Sequence, residues 1–331
     1  MQYSKKLYSF FLLLAVTLSG NIYAQKASIT KLSRQPYYRY ALPNVNSDSL
    51  IFYLSENNID QRLPLIIYIQ GSGNTSLFSK DVTGRIIPRS GHIGLTEQLH
   101  NKARLLIVEK PGVQSFQHDV VNPNFDQLFS LQSWVRQLKT ATEYVLNNQL
   151  VDSSKVMVIG HSEGGVISAS LSRQLNNIIT HTAILAGEGL SQLFSLYMLA
   201  SKGQYFYQEE KDAKKRVDSL MSVWNEILRD PLSTTKKFWG FTYLRWSSML
   251  TTSVYDELRA YKGKVAIMQG EADTHVIPEN AIALYTGLKS KGIDVQIDMI
   301  KDADHSFTLI STNESLWNKV LAKCINWFLA N

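Results

Sequence analysis

The sequence GHSEGG at residues 160–165 places a serine between glycines two positions before it and two positions after it. Residues 155–160 form an apolar run that predicts a buried strand, and residues 166–175 predict a helix. Between a strand and a helix, the pattern G-x-S-x-G is typical of a nucleophile elbow. The serine there lies on strained backbone, and a Cβ at either glycine would collide with the tight turn. Ser162 is therefore our candidate nucleophile for acyl transfer.

A serine hydroxyl is a weak nucleophile near neutral pH, so it needs a base, and the base needs an acid that orients it. In proteins that carry their catalytic serine on such an elbow, the acid follows the serine along the chain and the histidine follows the acid. GEAD at 270–273 comes directly after the predicted strand 264–269, and DADHSF at 302–307 comes directly after the predicted strand 295–300. Because the carboxyl ends of parallel strands meet at one edge of a sheet, we predict that Asp273 orients His305 and that His305 activates Ser162.

The remaining histidines and acids are weaker candidates for these roles. His275 lies two residues beyond Asp273, and we predict that it makes a loop contact. Asp302 and Asp304 are rival acids, which we predict to cap their loop or to lie in solvent. The other histidines precede Ser162, fall within a predicted strand, or stand in the elbow with a side chain directed away from the site: His92, His100, His118, His181 and His161.

The oxyanion that forms during acyl transfer needs two hydrogen-bond donors. We predict that one is the backbone amide of Glu163, the residue after the nucleophile. The other is predicted in the loop QGSGN at 70–74, whose glycines allow the backbone to approach a substrate closely. The Ser72 amide is favoured there, and the Gly73 amide is the alternative. A dinucleotide-binding loop is rejected, because Ser76 occupies the third glycine position and no acid ends a matching second strand.

Short β-branched runs separated by helical stretches extend along most of the chain. Strands are predicted at 38–41, 50–54, 63–70, 104–109, 155–160, 180–186, 264–269 and 295–300, the first two as an antiparallel pair. Helices are predicted at 129–148, 166–175, 278–289 and 314–329. This alternation predicts an α/β fold with a mainly parallel central sheet and helices on both of its faces.

Residues 190–261 differ in character from the rest of the chain. They contain the charged run 209–216 and the aromatic-rich run 238–246 without a convincing strand, so we predict a helical insertion that covers a pocket as a lid. The candidates for substrate contact are Tyr243, Arg245 and Trp246, within a wider aromatic set of Tyr205, Phe206, Tyr207 and Trp239. Packing of the lid against the body is the alternative for each aromatic residue.

Two charged side chains have alternative interpretations at this stage. Arg245 either clamps a substrate carboxylate or is a structural or solvent-exposed arginine, since arginines are mostly exposed. The side chain of Glu163 either orients a substrate amine or faces solvent at the start of its helix.

The N-terminus has the composition of a secretory signal peptide. Lys5 and Lys6 precede an apolar run at 7–20, and Ala24 supplies a small residue at its exit. This run of about 14 residues is shorter than the roughly 20 that cross a bilayer as a helix, which disfavours the alternative of an uncleaved anchor. We predict a signal peptide at 1–24, an α/β domain at 25–331, and export to the periplasm or the extracellular space.

Composition limits the remaining possibilities. Of the 331 residues, 44% are hydrophobic and 19% charged, which excludes wholesale disorder and allows a large core. A formal net charge of +6 without a basic stripe gives no nucleic-acid footprint. The single cysteine, Cys324, excludes an intramolecular disulfide, and no cluster of residues has metal-ligand spacing. We expect a small acyl compound as partner, with no cofactor, metal or nucleic acid and no lasting membrane insertion; the oligomeric state stays open.

From about residue 50 to the C-terminus, the chain resembles the α/β-hydrolase superfamily through GHSEGG, GEAD and DHSF, in that order. The elbow is similar to those of bacterial dienelactone-hydrolase-like, thioesterase-like and prolyl-oligopeptidase-related serine hydrolases. The resemblance implies hydrolysis of carboxylic esters or thioesters through an acyl-enzyme, as in a carboxylesterase. An aminopeptidase or amidase for small peptides, and a non-hydrolytic or inactive protein of the same fold, are the alternatives.

Two segments depart from the pattern of that superfamily. QGSG at 70–73 lacks the histidine that precedes the glycine in many relatives, which leaves open what braces this loop. EKPG at 109–112 replaces the commoner Asp-x-Arg-Gly sequence. The sequence indicates no propeller domain, which disfavours a protease for large peptides.

Overall fold

The computed structural model describes residues 26–43, 49–117, 122, 124–148 and 150–330, so the predicted signal peptide lies outside the described residues. The described strands are β1 (Ser28–Lys31), β2 (Tyr37–Leu42), β3 (Leu50–Ser55), β4 (Pro64–Ile69), β5 (Phe78–Lys80), β6 (Ile86–Pro88), β7 (Arg104–Val108), β8 (Asp152–His161), β9 (His181–Leu185), β10 (Lys237–Phe238), β11 (Phe241–Thr242), β12 (Lys264–Gly270) and β13 (Val295–Ile300). The described helices are α1 (Leu95–Leu99), α2 (Phe125–Leu128), α3 (Leu131–Asn147), α4 (Glu163–Gln174), α5 (Gln192–Ser201), α6 (Ala213–Arg229), α7 (Tyr243–Leu250), α8 (Val254–Leu258), α9 (Pro278–Ser290) and α10 (Trp317–Ala330).

Nine of the described strands form one sheet, in the order β1-β2-β3-β7-β4-β8-β9-β12-β13. From β7 to β13 in that order, neighbouring strands are parallel, whereas the pairs β1–β2, β2–β3 and β3–β7 are antiparallel. The strands β4, β7 and β9 are buried along almost their whole length, as parallel strands with both faces covered must be. The predicted α/β fold with a mainly parallel sheet is confirmed, including the antiparallel pair of β2 and β3.

Helices cover both faces of this sheet. On one face, α3, α4 and α9 bury apolar side chains such as Leu138, Val166 and Leu284 against the strands. On the other face, α1 and α10 do the same with Leu99 and Ile325. None of the described helices is both long enough and apolar enough to cross a membrane.

The strand order reverses at β4, which pairs with β7 on one side and with β8 on the other. The loop at residues 70–74 follows β4, and the turn that holds Ser162 follows β8. Because Ile69 of β4 stands opposite Gly160 of β8, these two segments lie side by side at the carboxyl edge of the sheet. In open α/β sheets, ligands bind in the crevice at such a switch point.

Between β9 and β12 the chain forms α5, α6, a hairpin of β10 and β11, α7 and α8. Helices α5, α6 and α7 enclose an apolar core of their own, which includes Leu196, Phe206, Leu220, Trp224 and Trp246. The helical character predicted for this stretch is present, but the expectation that it contains no strand is wrong.

The hairpin escapes detection in the sequence because its strands are two residues long and give no alternating pattern. Its turn residues, Trp239 and Gly240, both have a positive φ, of 45° and 81°. Positive φ at both central residues is the geometry that matches the twist of paired strands in a two-residue hairpin.

Candidate active site

Ser162 lies at the junction of β8 and α4 with a backbone φ of 57°. A positive φ is strained for a residue that carries a Cβ, and such strain is concentrated at functional sites. A Cβ added to Gly160 would overlap the Gly164 carbonyl oxygen, and one added to Gly164 would overlap the Ile69 carbonyl oxygen of β4. Both glycines are therefore required for the turn to pass so close to the neighbouring strand.

His305 reaches Ser162 from the loop between β13 and α10. Its Nε2 lies 3.0 Å from the Ser162 Oγ, and its Nδ1 lies 2.8 Å from the Oδ2 of Asp273, which follows β12. Three side chains that are far apart in the sequence thus form one hydrogen-bonded chain. This arrangement allows a histidine to take the serine proton while the carboxylate fixes the ring and its tautomer.

The carboxylate of Asp273 is buried, at 5% exposure, and is hydrogen-bonded on both oxygens. Its Oδ1 accepts from the amides of His275 at 2.7 Å and Val276 at 3.0 Å, and its Oδ2 also accepts from the Gln269 side chain at 3.0 Å. Burial alone would raise the pKa of Asp273, but the hydrogen bond and charge of His305 and the two amides outweigh burial and lower it. Asp273 is therefore an anion at neutral pH.

Two further histidine rings flank His305. The His275 ring stacks on the His305 ring, with centroids 5.0 Å apart and 22° between the planes. The His161 ring also lies 5.0 Å from it, and the His161 Nε2 bonds to the His305 carbonyl oxygen at 3.0 Å. The expectation that the His161 side chain is directed away from the site is wrong. Burial lowers the pKa of His161 to about 4, so a neutral ring joins the elbow to the histidine loop.

The rival acids hold the loop that carries the histidine. The Oδ1 of Asp304 accepts hydrogen bonds from the amides of Ser306 and Thr308, both at 2.8 Å. Asp302 accepts from the amide of Ser311 at 3.0 Å. These are loop-capping contacts, which is one of the two outcomes expected for them.

The two segments predicted to supply oxyanion donors adjoin Ser162. Glu163 is the first residue of α4, and amides in a first helical turn have no partner within their helix. A Cβ on Gly71 would lie 3.2 Å from the Ser162 Cβ, so the loop after β4 passes directly beside the serine. The amides of Ser72 and Gly73 follow in that loop.

Glu109 and Lys110, directly after β7, belong to this region and were missed by the sequence analysis as site residues. Both side chains are 2% exposed. Glu109 accepts hydrogen bonds from the hydroxyls of Tyr53 at 3.0 Å and Ser76 at 2.6 Å and from the Leu77 amide at 3.1 Å, and burial raises its pKa to about 7. The unusual EKPG segment was the available signal for both residues, but their partners lie in other parts of the chain.

The side chain of Glu163 pairs with Arg245 of α7. Both residues are buried, at 2% and 4% exposure, and the Arg245 Nη2 donates to the Glu163 Oε2. The guanidinium lies over the rings of Trp246 and Phe241, 4.1 Å and 4.5 Å from their centroids. The alternatives in which Glu163 faces solvent and Arg245 is solvent-exposed are therefore wrong. The pair joins the insertion to the start of α4, next to Ser162.

The buried carboxylate of Glu188, which follows β9, was also missed by the sequence analysis. Its Oε2 accepts hydrogen bonds from the Ser195 hydroxyl and, at 3.0 Å, from the Asn280 side chain. Burial, with the nearby charge of Asp273, raises the pKa of Glu188 to about 8, so this side chain is mostly neutral at pH 7. A glutamate between two glycines carries no motif that would have marked it.

The aromatic residues of the insertion divide into two groups. Trp246 is 3% exposed and donates its Nε1 proton to a backbone carbonyl at 2.7 Å, and Tyr243 packs, partly buried, against the same apolar core. Tyr205 instead stands edge-on to the His275 ring at 5.1 Å, with Trp239 behind it at 5.7 Å. Tyr205 is thus the member of the wider aromatic set that contacts His275, whose ring in turn stacks on His305.

A cleft of about 370 Å³ opens between the loop at residues 70–74 and the loop after β13 that carries His305. Gly71, His161 and Ser306 border it, and its other described lining residues are Tyr68, Ser90, Gly91, Thr308, Ser315 and Trp317. No acidic residue, lysine or arginine is among these described residues. Hydroxyl groups and aromatic rings therefore dominate the walls, which suits a neutral polar group.

Residues 217–331, a span that contains Asp273 and His305, match the model of the prolyl oligopeptidase family. Among curated proteins, no sequence matches the chain. Est1E from Butyrivibrio proteoclasticus is similar in structure, with a TM-score of 0.56 and 15% identity over 88% of this chain and 99% of its own. The Pyrococcus horikoshii acylaminoacyl peptidase has a TM-score of 0.59 and 10% identity over 91% of this chain and 42% of its own. A putative dipeptidyl aminopeptidase IV from Bacteroides ovatus has a TM-score of 0.58 and 15% identity over 93% of this chain and 36% of its own.

The chain thus covers nearly all of Est1E and less than half of either peptidase. At these identities the structural similarity shows the shared fold. The family match covers roughly the C-terminal third of the chain, where two of the three hydrogen-bonded side chains lie. Residues 217–331 are thus similar to the prolyl oligopeptidase family, and the chain shares its fold with these esterase and peptidase structures.

Proposed function

We propose that this protein hydrolyses carboxylic esters or thioesters of small molecules through a covalent acyl-enzyme. The Ser162 Oγ attacks the carbonyl carbon while His305 takes the serine proton on Nε2, and His305 then returns that proton to the leaving group. The Asp273 anion stabilises the imidazolium. Water, activated by the same histidine, releases the acid and restores the serine. The observation that carries this proposal is the continuous chain of hydrogen bonds, at 3.0 Å and 2.8 Å, through the three side chains.

In this mechanism the amides of Glu163 and Ser72 stabilise the tetrahedral oxyanion. Gly73 is the alternative donor in the same loop. Loss of one such donor typically raises the barrier by roughly 3–4 kcal/mol. The close approach of Gly71 to Ser162 supports the assignment, because it brings the loop within reach of an oxygen on the attacked carbon.

The charges around Ser162 favour an ester substrate over an N-terminal amine. An aminopeptidase needs a free carboxylate to bind the substrate ammonium group. The Glu163 carboxylate is already paired with Arg245, and Glu188 is bonded to Ser195 and Asn280 with a pKa raised to about 8. The carboxylates of Glu163 and Glu188 thus already have polar partners within the protein, which disfavours either as the anchor for a substrate cation.

The cleft beside the histidine loop supports a neutral, hydroxyl-bearing leaving group. Because His305 returns the proton to the leaving group, that group departs on the histidine side of Ser162. Ser306, the residue after His305, and Gly71, which lies beside Ser162, border the cleft, and its described walls carry hydroxyls and the Trp317 ring. The acyl part would then lie toward Tyr205. Est1E has been solved with ferulic acid bound, so an aromatic acyl ester is a reasonable member of the substrate panel.

The test compares ester and amide substrates on the same purified protein. We expect p-nitrophenyl acyl esters, including a feruloyl ester, to be hydrolysed with a kcat/KM at least 100-fold above that for alanyl and prolyl p-nitroanilides. A fluorophosphonate should add one adduct to the wild-type protein and none to Ser162→Ala. Faster hydrolysis of the anilides would support the aminopeptidase alternative, and a wild-type protein with neither adduct nor turnover would support an inactive fold.

We also propose that the protein is exported, which rests on the composition of residues 1–24. The full chain would be expressed in a bacterium, fractionated and weighed intact. We expect a soluble exported protein that lacks roughly the first 24 residues, as the predicted cleavage site requires. A full-length chain retained in the membrane fraction would instead support an anchor.

A further inference from the structure

The side chain of Lys110 reaches from the end of β7 to the loop after β4. Its Nζ lies 2.5 Å from the Gly71 carbonyl oxygen and 2.7 Å from the Gly73 carbonyl oxygen, and it donates to both. The side chain is buried, at 2% exposure. One ammonium group therefore joins the two carbonyls on either side of Ser72.

The surroundings of Lys110 fix its position and moderate its charge. The rings of Trp134 and Phe129 lie 4.6 Å and 5.6 Å from the nitrogen, so its positive charge faces two aromatic rings. The charged groups that face it are Glu163 on α4, Arg245 on α7 and its own neighbour Glu109. Burial, with some repulsion from Arg245, lowers the pKa of Lys110 to about 8 against the opposing effect of the two glutamates. The side chain is mainly an ammonium at pH 7.

The bond to Gly71 acts on the predicted oxyanion donor through a shared peptide group. The Gly71 carbonyl and the Ser72 N–H belong to the same amide, so a positive donor on the oxygen polarises the N–H. Chains of hydrogen bonds strengthen one another in this way inside a protein. The second bond, to Gly73, fixes the peptide on the far side of Ser72 and so holds the direction in which the Ser72 amide points.

We propose that Lys110 is a positioning residue: its ammonium holds residues 71–73 in the conformation that presents the Ser72 amide to the oxyanion, and strengthens that amide as a donor. This inference rests on the proposed function. It also connects the two departures from the superfamily pattern. QGSG lacks a bracing histidine, and EKPG supplies the bracing lysine from the adjacent strand.

The first test replaces Lys110 with methionine, which has a similar length and no charge. Removal of a donor-positioning contact should lower kcat roughly 100-fold, the lower end of what loss of one oxyanion donor does, while KM changes less than about threefold. Lys155→Met is the matched control. Lys155 also donates to a backbone carbonyl, that of Leu329 at 3.0 Å, and lies 5.6 Å from the Phe328 ring, but it stands in the opposite half of β8 from Ser162. The kcat of Lys155→Met should equal that of the wild type.

The second test begins with the pH dependence of the wild-type enzyme. As pH rises through about 8, Lys110 loses its charge, so the wild-type kcat should fall along an alkaline limb near that value. Glu188 also titrates near pH 8, so Glu188→Gln serves as the control and should keep the limb. Lys110→Met should lose it.

The outcomes separate this inference from the proposed function. A folded Lys110→Met with kcat within threefold of the wild type, or a wild-type enzyme without an alkaline limb near pH 8, overturns the role of Lys110 and leaves ester hydrolysis standing. A wild-type protein that hydrolyses no ester and takes no fluorophosphonate overturns the proposed function itself, and the role of Lys110 with it.

Discussion

The buried ion pair of Glu163 and Arg245 makes the stability of the fold depend on both partners together. Arg245→Met would leave the Glu163 carboxylate buried at 2% exposure without its cation, and Glu163→Met would leave a guanidinium buried at 4% exposure without its anion. Glu163 Oε1 and Arg245 Nε and Nη1 already have no hydrogen-bond partner in the part of the chain that the structure describes. No described contact is therefore ready to replace the lost partner.

The expected magnitudes follow from what remains around each orphaned charge. Removing one member of a buried pair typically destabilises a protein by about 3–5 kcal/mol. Lys110 faces both residues: it attracts Glu163 and repels Arg245. Arg245→Met should therefore fall near the low end of the range, at about 3 kcal/mol, and Glu163→Met near the high end, at about 5 kcal/mol. The double variant buries two apolar side chains and should lose little or no stability.

Urea unfolding at pH 7, followed by tryptophan fluorescence and extrapolated linearly, would measure the four unfolding free energies of this cycle. The single losses sum to about 8 kcal/mol, so they should exceed the loss in the double variant by well over the roughly 3 kcal/mol that couplings between residues in contact usually reach. The half-exposed pair Lys139–Glu143 on α3 is the matched control, and its loss should stay within about 0.5 kcal/mol. If the two single losses add to the double loss within about 0.5 kcal/mol, the reasoning on the buried pair is refuted.

Three further predictions concern the elbow and the buried acids. Gly164→Ala would force a Cβ against the Ile69 carbonyl oxygen, so we expect an unfolding free energy lower by roughly 3 kcal/mol and slower labelling by the fluorophosphonate. Unchanged labelling would show that the turn tolerates a methyl group. Asp273→Asn should lower kcat about 10⁴-fold on a p-nitrophenyl ester. The pKa of Asp273 is lower in the folded state than its ordinary value, so its ionisation stabilises the fold above about pH 4. The wild type should therefore have the higher unfolding free energy at neutral pH, and this advantage over Asp273→Asn should disappear as pH falls below about 4. The pKa of Glu188 is instead raised from 4.5 to about 8, so the unfolding free energy of the wild type falls as pH rises between these values. The unfolding free energy of Glu188→Gln should equal that of the wild type near pH 4 and exceed it at pH 8. Parallel curves of unfolding free energy against pH would contradict this.

The elbow and the strand–helix alternation could be predicted from the sequence because both are local. Steric limits at a tight turn dictate the glycines on either side of Ser162, and the apolar run before it forms a strand whatever lies beside that strand. Asp273 and His305 could be predicted as well, since each directly follows a strand and parallel strands deliver their carboxyl ends to one edge. The short hairpin of β10 and β11 could not, because two-residue strands leave no period to detect.

Only the tertiary structure decided which charged side chains surround the serine. The bond of Lys110 to Gly71, the pairing of Glu163 with Arg245, and the contact of His161 with the His305 carbonyl join segments that lie 39, 82 and 144 residues apart. Each contact depends on which strands are neighbours in the sheet and on where the insertion packs. Neither property is encoded within any short stretch of residues, because side-chain type and spacing set the local backbone while the packing of the whole chain sets the partners.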